Sequence, residues 1–242
     1  MARMLEDFVN SLQNAKDVGD LQGLLHQRMS QMGFNNFAYL ALKPPSGAQN
    51  HLVLTTYPGE WADRYTEMDY VNHDPIVPMA ITSIKPFTWD ETIDKRVNDK
   101  PKLILNEATE FGLRQGVTIP LHGPSAAFAT LSVCFDERRE AEFAKRYEVM
   151  RHELLLTALY FHDTVTKLAY GEGADRIYKI SPRERECLLW TSRGKTAWEV
   201  SQITHLSEKT VHHYLASAMR KFGVFSKHHA VVKSIALGII IP

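Results

Sequence analysis

The spacing of apolar positions divides the chain into stretches of two kinds. In ARMLEDFVNSLQNA and DLQGLLHQRMSQMG they recur every three to four residues, the period of an amphipathic helix, and the second stretch stops at Gly33, as a helix C-terminus favours. Short runs dense in aromatic and aliphatic residues follow: NNFAYLAL, HLVLTTY, KPFTW, GVTIPLHG and AFATLSVCF. These read as strands, divided by turn residues in KPPSGAQN and HGPSAA and by a helical stretch, PKLILNEATEFG. The helical period returns in REAEFAKRYEVMRHELLLTALYFHDTVTKLA, as one long amphipathic helix or two in tandem. This order predicts an α+β fold: an antiparallel sheet with helices on both faces, an α-β-α sandwich with room for a ligand pocket between its layers.

The pattern breaks at AYGEGADRIYKISPRE, where two glycines and a Ser-Pro pair mark a linker running into a helix start, with Ser181 as cap and Pro182 at the first helical position. The expected division is 1–170, a linker at 171–180, and 181–242. The last part reads as an all-α unit of four helices: PRERECLLWTSRG, TAWEVSQITHL, SEKTVHHYLASAMRKFG and SKHHAVVKSIALG. Gly194 and Gly223 fall at helix ends, and Thr196, Ser207 and Ser226 at helix starts. The middle pair, joined around His205 and Leu206, forms a helix-turn-helix.

Composition narrows the class. A chain of 242 residues with 44% hydrophobic and 23% charged residues is an ordinary globular protein. Two cysteines, Cys134 and Cys187, make no disulfide framework and sit in apolar runs where a reduced, buried thiol is expected. The first residues lack the basic start and apolar block of an export signal, and no apolar run approaches membrane-spanning length. A cytoplasmic protein without a membrane partner is expected. The zero net charge conceals a division: residues 174–242 carry eleven Lys plus Arg against five Asp plus Glu, so the remainder is acidic. A basic tail of this kind suits a polyanion.

The third tail helix supplies the matching surface. Val211, Leu215, Ala218 and Phe222 recur at four, three and four residues and form its inward stripe. Lys209, His212, His213, Ala216 and Arg220 are left outside, hydrogen-bonding and basic groups with one small residue, suited to a DNA major groove. Lys195, Thr196, Lys221 and Lys227 lie near helix ends, where phosphates are met. A zinc site is not expected, because adjacent histidines such as His212 and His213 diverge by roughly 100° around a helix.

The segment from Ser181 to Ile240 closely resembles the DNA-binding domain of LuxR-type regulators. Glu184, Leu188 and Gly194 occupy that family's signature positions, with Trp190, Lys195, Thr210, Val211, Lys221 and Phe222 in the expected places. Tyr214 departs from the histidine that many members carry there. Upstream, YPGEWADRY, HDP, FTW and RQGVTIPLHG resemble the autoinducer-binding domain of the quorum-sensing branch, matching Tyr57, Trp61, Tyr65, Asp74, Pro75, Trp89 and Gly116. The resemblance implies a homodimeric, ligand-gated transcriptional regulator that binds double-stranded DNA at a palindrome, with RNA polymerase as a further partner. Its ligand would be an N-acyl-homoserine lactone, and no cofactor or metal is implied.

The ligand's chemistry accounts for these residue types. A lactone carbonyl needs a donor, which the Trp61 indole N–H supplies; the amide N–H needs an acceptor, the Asp74 carboxylate; the amide carbonyl needs donors, for which Tyr57 and, by resemblance, Ser132 stand. Trp89 and Tyr65 pack the head group. The resemblance brings Ala38, Leu40, Leu42, Val53, Ile76, Val77, Leu113, Thr118, Phe128 and Thr130 near the acyl tail. Leu40 stands where some long-chain binders have glycine, and Ile76 adds a branched wall, so a short, branched or compact aryl acyl group is expected. A LuxR-type receptor for a different small molecule is the alternative. No nucleophile motif accompanies the His73–Asp74 pair, so the chain is not expected to be an enzyme.

Overall fold

A computed structural model of the chain describes residues 2–34, 36–43, 51–90, 104–123, 127–135, 140–170 and 178–242. The turn segments 44–50 and 124–126 and residues 171–177 of the expected linker lie outside the described residues. Contacts divide the chain into two compact units, the first closing at Tyr170 and the second reaching Pro242.

The first unit is built on strands β1 (Asn36–Lys43), β2 (Leu52–Thr55), β3 (Phe87–Asp90), β4 (Gln115–His122) and β5 (Phe128–Phe135). They lie in the order β2-β1-β5-β4-β3, every neighbouring pair antiparallel. Side chains alternate between faces along each strand. Phe37, Tyr39 and Ala41, Val117 and Ile119, and Leu131 and Val133 point to one face. Helices α1 (Ala2–Gln13), α2 (Val18–Gln31) and α6 (Glu140–Tyr170) cover it with Leu12, Leu25, Leu154 and Phe161. The long stretch is therefore one helix and not two in tandem. A buried Arg28 on α2 reaches Glu153 of α6 at 2.9 Å and ties the two helices together.

The opposite face carries the complementary parity: Ala38, Leu40 and Leu42 on β1, Gly116 and Thr118 on β4, and Thr130, Ser132 and Cys134 on β5. Over it lie α3 (Gly59–Glu67), a 3-10 turn at Tyr70–Asn72, α4 (Ile76–Thr82) and α5 (Ile104–Glu110). The resulting architecture is the α-β-α sandwich expected from the order of elements. Helices α3 and α4 escape the periodicity because they are short; α3 buries little besides Trp61.

The second unit contains α7 (Pro182–Ser192), α8 (Ala197–Thr204), α9 (Glu208–Phe222) and α10 (Lys227–Ala236). Each begins where a hydroxyl side chain accepts a backbone N–H: Ser181, Thr196, Ser207 and Ser226. Gly223 ends α9 at φ 65°, a conformation that side chains other than glycine's resist. Cys187, Leu188, Val200, Val211, Leu215, Ala218 and Phe222 form its core. None of the described helices is long and apolar enough to cross a membrane.

Candidate functional site

The face of the sheet beneath α3, α4 and α5 is ordered in rows across the strands. One row holds Cys134, Gly116 and Trp89; the next holds Ala38, Ser132, Thr118 and Phe87; the next holds Val53, Leu40 and Thr130. Gly116 is dictated by the first row. A Cβ there would lie 2.4 Å from the Trp89 ring and 2.6 Å from the Val133 carbonyl oxygen, so glycine alone lets the indole lie across the strand. Trp89 then points its N–H at Thr118 Oγ1 at 2.9 Å, and Thr118 Oγ1 is 2.7 Å from Ser132 Oγ.

Above these rows Asp74 is held by both carboxylate oxygens. Oδ1 accepts the Ile76 N–H at 2.8 Å, and Oδ2 accepts the Tyr65 hydroxyl at 2.7 Å. The first bond closes over Pro75 and starts α4, which explains why the carboxylate immediately precedes that helix. Burial pushes the Asp74 carboxyl above its ordinary range, against the downward pull of these two hydrogen bonds. Tyr57 is anchored through its backbone N–H, which donates to Thr55 Oγ1 at 3.0 Å, and its hydroxyl lies 2.8 Å from Cys134 Sγ. Burial raises both phenols well above the ordinary tyrosine range and pushes the Cys134 thiol up to about 12, so all three groups keep their protons near neutrality.

Trp61 is buried on α3 and packs its ring against Tyr65, Tyr70 and Phe111 at centroid distances of 5.9, 6.0 and 5.4 Å. Ile76 and Leu113 join Trp61, Trp89 and Cys134 in one apolar cluster. Tyr57, Trp61, Tyr65 and Trp89 therefore share one cluster, with Asp74 bonded to Tyr65 and Ser132 reached from Trp89 through Thr118. Leu40 lies two rows from Trp89, Leu42 at a bulge between Ala41 and Lys43, and Val77 is half-buried on α4. Val53, on the outer strand, is exposed. Three members of this site are absent from the sequence reading. Cys134 shares the parity of Thr130 and Ser132, which was the available signal. Tyr70 and Phe111 carried none, because the turns that bring them to Trp61 are tertiary. The cleft between α1 and α2, about 130 Å³, lies on the other side of the sheet and gathers none of these residues.

In the second unit, the residues buried on α9 are Val211, Leu215, Ala218 and Phe222, leaving Lys209, His212, His213, Ala216 and Arg220 exposed. Thr210 is half-buried at the first turn, its hydroxyl 2.7 Å from that of the cap Ser207. Thr196 caps α8, and Lys195 reaches Glu199 at 3.0 Å. Lys221 is engaged within the domain: its ammonium lies 2.6 Å from Glu184 Oε2 and donates to the Lys179 carbonyl oxygen at 2.8 Å. Burial raises the Glu184 carboxyl, but Lys221 and the Ser181 N–H, with the Ser217 and Ser181 hydroxyls, bring it down to about 2. Among the described residues no cluster of His, Cys, Asp or Glu is arranged to hold a metal.

One unit thus buries polar groups on a sheet face, and the other presents a capped helix-turn-helix with a basic exposed side, the division of a ligand-responsive regulator of transcription. Residues 17–165 match the model of the autoinducer binding domain, and residues 179–234 match that of the bacterial regulatory proteins of the luxR family. The chain belongs to the LuxR family of quorum-sensing transcriptional regulators. It is 30% identical over 224 residues to the transcriptional activator protein VanR of Vibrio anguillarum, covering 92% of each chain. Its fold is that of SdiA of Escherichia coli: a structure of SdiA in complex with octanoyl-rac-glycerol superposes with a TM-score of 0.76 at 21% identity, over 98% of this chain and 95% of that one. CepR2 of Burkholderia cenocepacia, described as an N-acylhomoserine lactone dependent LuxR family factor, gives a TM-score of 0.58 at 18% identity over 69% of this chain and 97% of its own.

Proposed function

We propose that the first unit binds an N-acyl-homoserine lactone and that the ligand-bound chain, as a homodimer in the cytoplasm, binds a palindromic promoter site to control quorum-sensing genes. The observation that carries this reading is the half-buried Asp74 carboxylate, fixed from both sides by Tyr65 and Ile76, with Tyr65 packed on the Trp61 ring. Both Asp74 oxygens keep lone pairs for an amide N–H, and an amide left unpaired on burial costs about 1–3 kcal/mol, which selects for this head group. Trp61 donates to the lactone carbonyl, Tyr57 and Ser132 to the acyl carbonyl, and the Leu40, Leu42, Ile76, Val77 and Leu113 side chains receive a short, branched or aryl tail. On the DNA, Lys209, His212, His213 and Arg220 of α9 face the major groove, Lys195, Thr196 and Thr210 lie toward phosphates, and RNA polymerase is engaged at the promoter. The domain boundaries follow the same division, 1–170 and 181–242.

A second reading, a LuxR-type receptor for a different small molecule, is favoured by the likeness of fold to SdiA, whose structure holds an acylglycerol. Thermal unfolding of the full chain against a panel of acyl-homoserine lactones and 1-acylglycerols separates the two. A rise in Tm with short or branched lactones, lost in Asp74→Ala and Trp61→Ala, supports the first; a response to acylglycerols alone overturns it in favour of the second. Tightest binding of a twelve-carbon straight-chain lactone overturns the assigned tail.

A further inference from the structure

We propose that Trp89 and Thr118 form a one-way hydrogen-bond relay that leaves the Ser132 hydroxyl as a committed donor, so that the group docked against Ser132 must be a strong acceptor such as an acyl carbonyl oxygen. This rests on the ligand-site reading above. An indole N–H only donates, so the 2.9 Å contact fixes Thr118 Oγ1 as its acceptor. Thr118 is fully buried, and among the described residues the acceptor within reach of its own proton is Ser132 Oγ, 2.7 Å away. The opposite direction, Ser132 donating to Thr118, would leave the Thr118 proton buried without an acceptor, the costly arrangement. The proton of Thr118 therefore goes to Ser132, and that of Ser132 is turned outward.

The surroundings of Ser132 agree with an outward donor. Its cross-strand neighbours on this face are Thr118 on one side and Ala38 on the other, so the second neighbour is a methyl group that offers the hydroxyl no competing acceptor. Accepting one hydrogen bond while donating another strengthens the donated one. Trp89 and Thr118 thus act on the ligand through Ser132 and are positioning residues. Gly116 belongs to the same device, since only its missing side chain lets Trp89 reach Thr118.

The test compares N-hexanoyl-homoserine lactone with its thioamide, in which sulfur, a weaker acceptor, replaces the acyl oxygen, by calorimetric titration of the full chain. Wild type is expected to prefer the oxygen compound roughly threefold to tenfold, the worth of one net hydrogen bond. Thr118→Val and Trp89→Phe are expected to erase most of that preference, and Thr118→Ser to keep it. Ser132→Ala is expected to erase it too, and adding Thr118→Val to Ser132→Ala to change it no further. A merely structural role for Thr118 predicts weaker binding of both compounds at an unchanged ratio, which would overturn the relay while the ligand site stands. Where Thr118→Val does not fold, Trp89→Phe and Thr118→Ser decide the matter by the same ratio. If wild type binds neither compound, the ligand reading and the relay fall together.

Discussion

Glu184 is a buried carboxylate that closes the cap of α7 onto the Ser181 N–H and accepts from Lys221 of α9, whose ammonium also donates to the Lys179 carbonyl oxygen. Removing any one partner leaves a charge in a poorly solvated place, the costly half of a buried ion pair. Its folded-state value of about 2 lies below the ordinary 4.5. A group depressed on folding contributes stability that is complete above its unfolded value and is lost as pH falls through its folded one. The second unit should therefore lose on the order of 3 kcal/mol between about pH 5 and pH 2 from this group alone. Hydrogen exchange of the amides in 178–242, followed in the full chain, measures it directly. Glu184→Gln should be less stable at neutral pH and show a flatter dependence over that range, and an equally steep dependence in the variant would show that another carboxylate governs the loss.

Helices and strands differ in how openly the sequence declares them. Helix α9 is legible because its buried stripe, its cap at Ser207 and its stop at Gly223 are all local signals. The strands are legible by composition, and their parity assigns Ser132 and Thr118 to one face before any partner is known. What the sequence does not declare is long-range: that Tyr57 meets Cys134 across 77 residues, or that Lys221 on α9 reaches Glu184 of α7. Short α3 and α4 are held by tertiary packing of Trp61 and Ile76, so no period marks them. On α9 Lys209 and Arg220 are exposed, and they are the cations proposed to meet DNA. Replacing either by alanine should weaken operator binding and lower the slope of log K against log salt by about one. Ligand-induced stabilisation should be unchanged. An unaltered salt slope would remove these residues from the DNA interface.

For the whole molecule, the two units have separate cores and separate chemistry, so coupling between them must pass through an equilibrium that the ligand biases. A ligand that binds only the folded first unit adds about 2.7 kcal/mol at a hundredfold excess over Kd, enough to decide whether a marginal fold accumulates. In the proposed function, dimerisation is the step that would place two copies of α9 on one palindrome. The first unit carries a feature suited to that step: on α6, Val149, Leu156 and Tyr160 recur at seven and four residues and stand 56%, 41% and 46% exposed, one apolar stripe on the outer side of a helix whose other side packs on the sheet. An exposed row of this kind on a two-fold axis meets itself, which makes a self-complementary contact. Leu156→Glu places like charges across that axis. It should convert the ligand-bound dimer to a monomer in analytical ultracentrifugation while leaving the ligand's effect on Tm intact. Operator affinity should fall roughly a hundredfold or more, because the second half-site is no longer delivered at the millimolar effective concentration that a linked partner provides. A variant that remains dimeric would move the interface off this stripe, and one that becomes monomeric yet binds the full palindrome as tightly as wild type would show that pairing in the first unit contributes nothing to recognition.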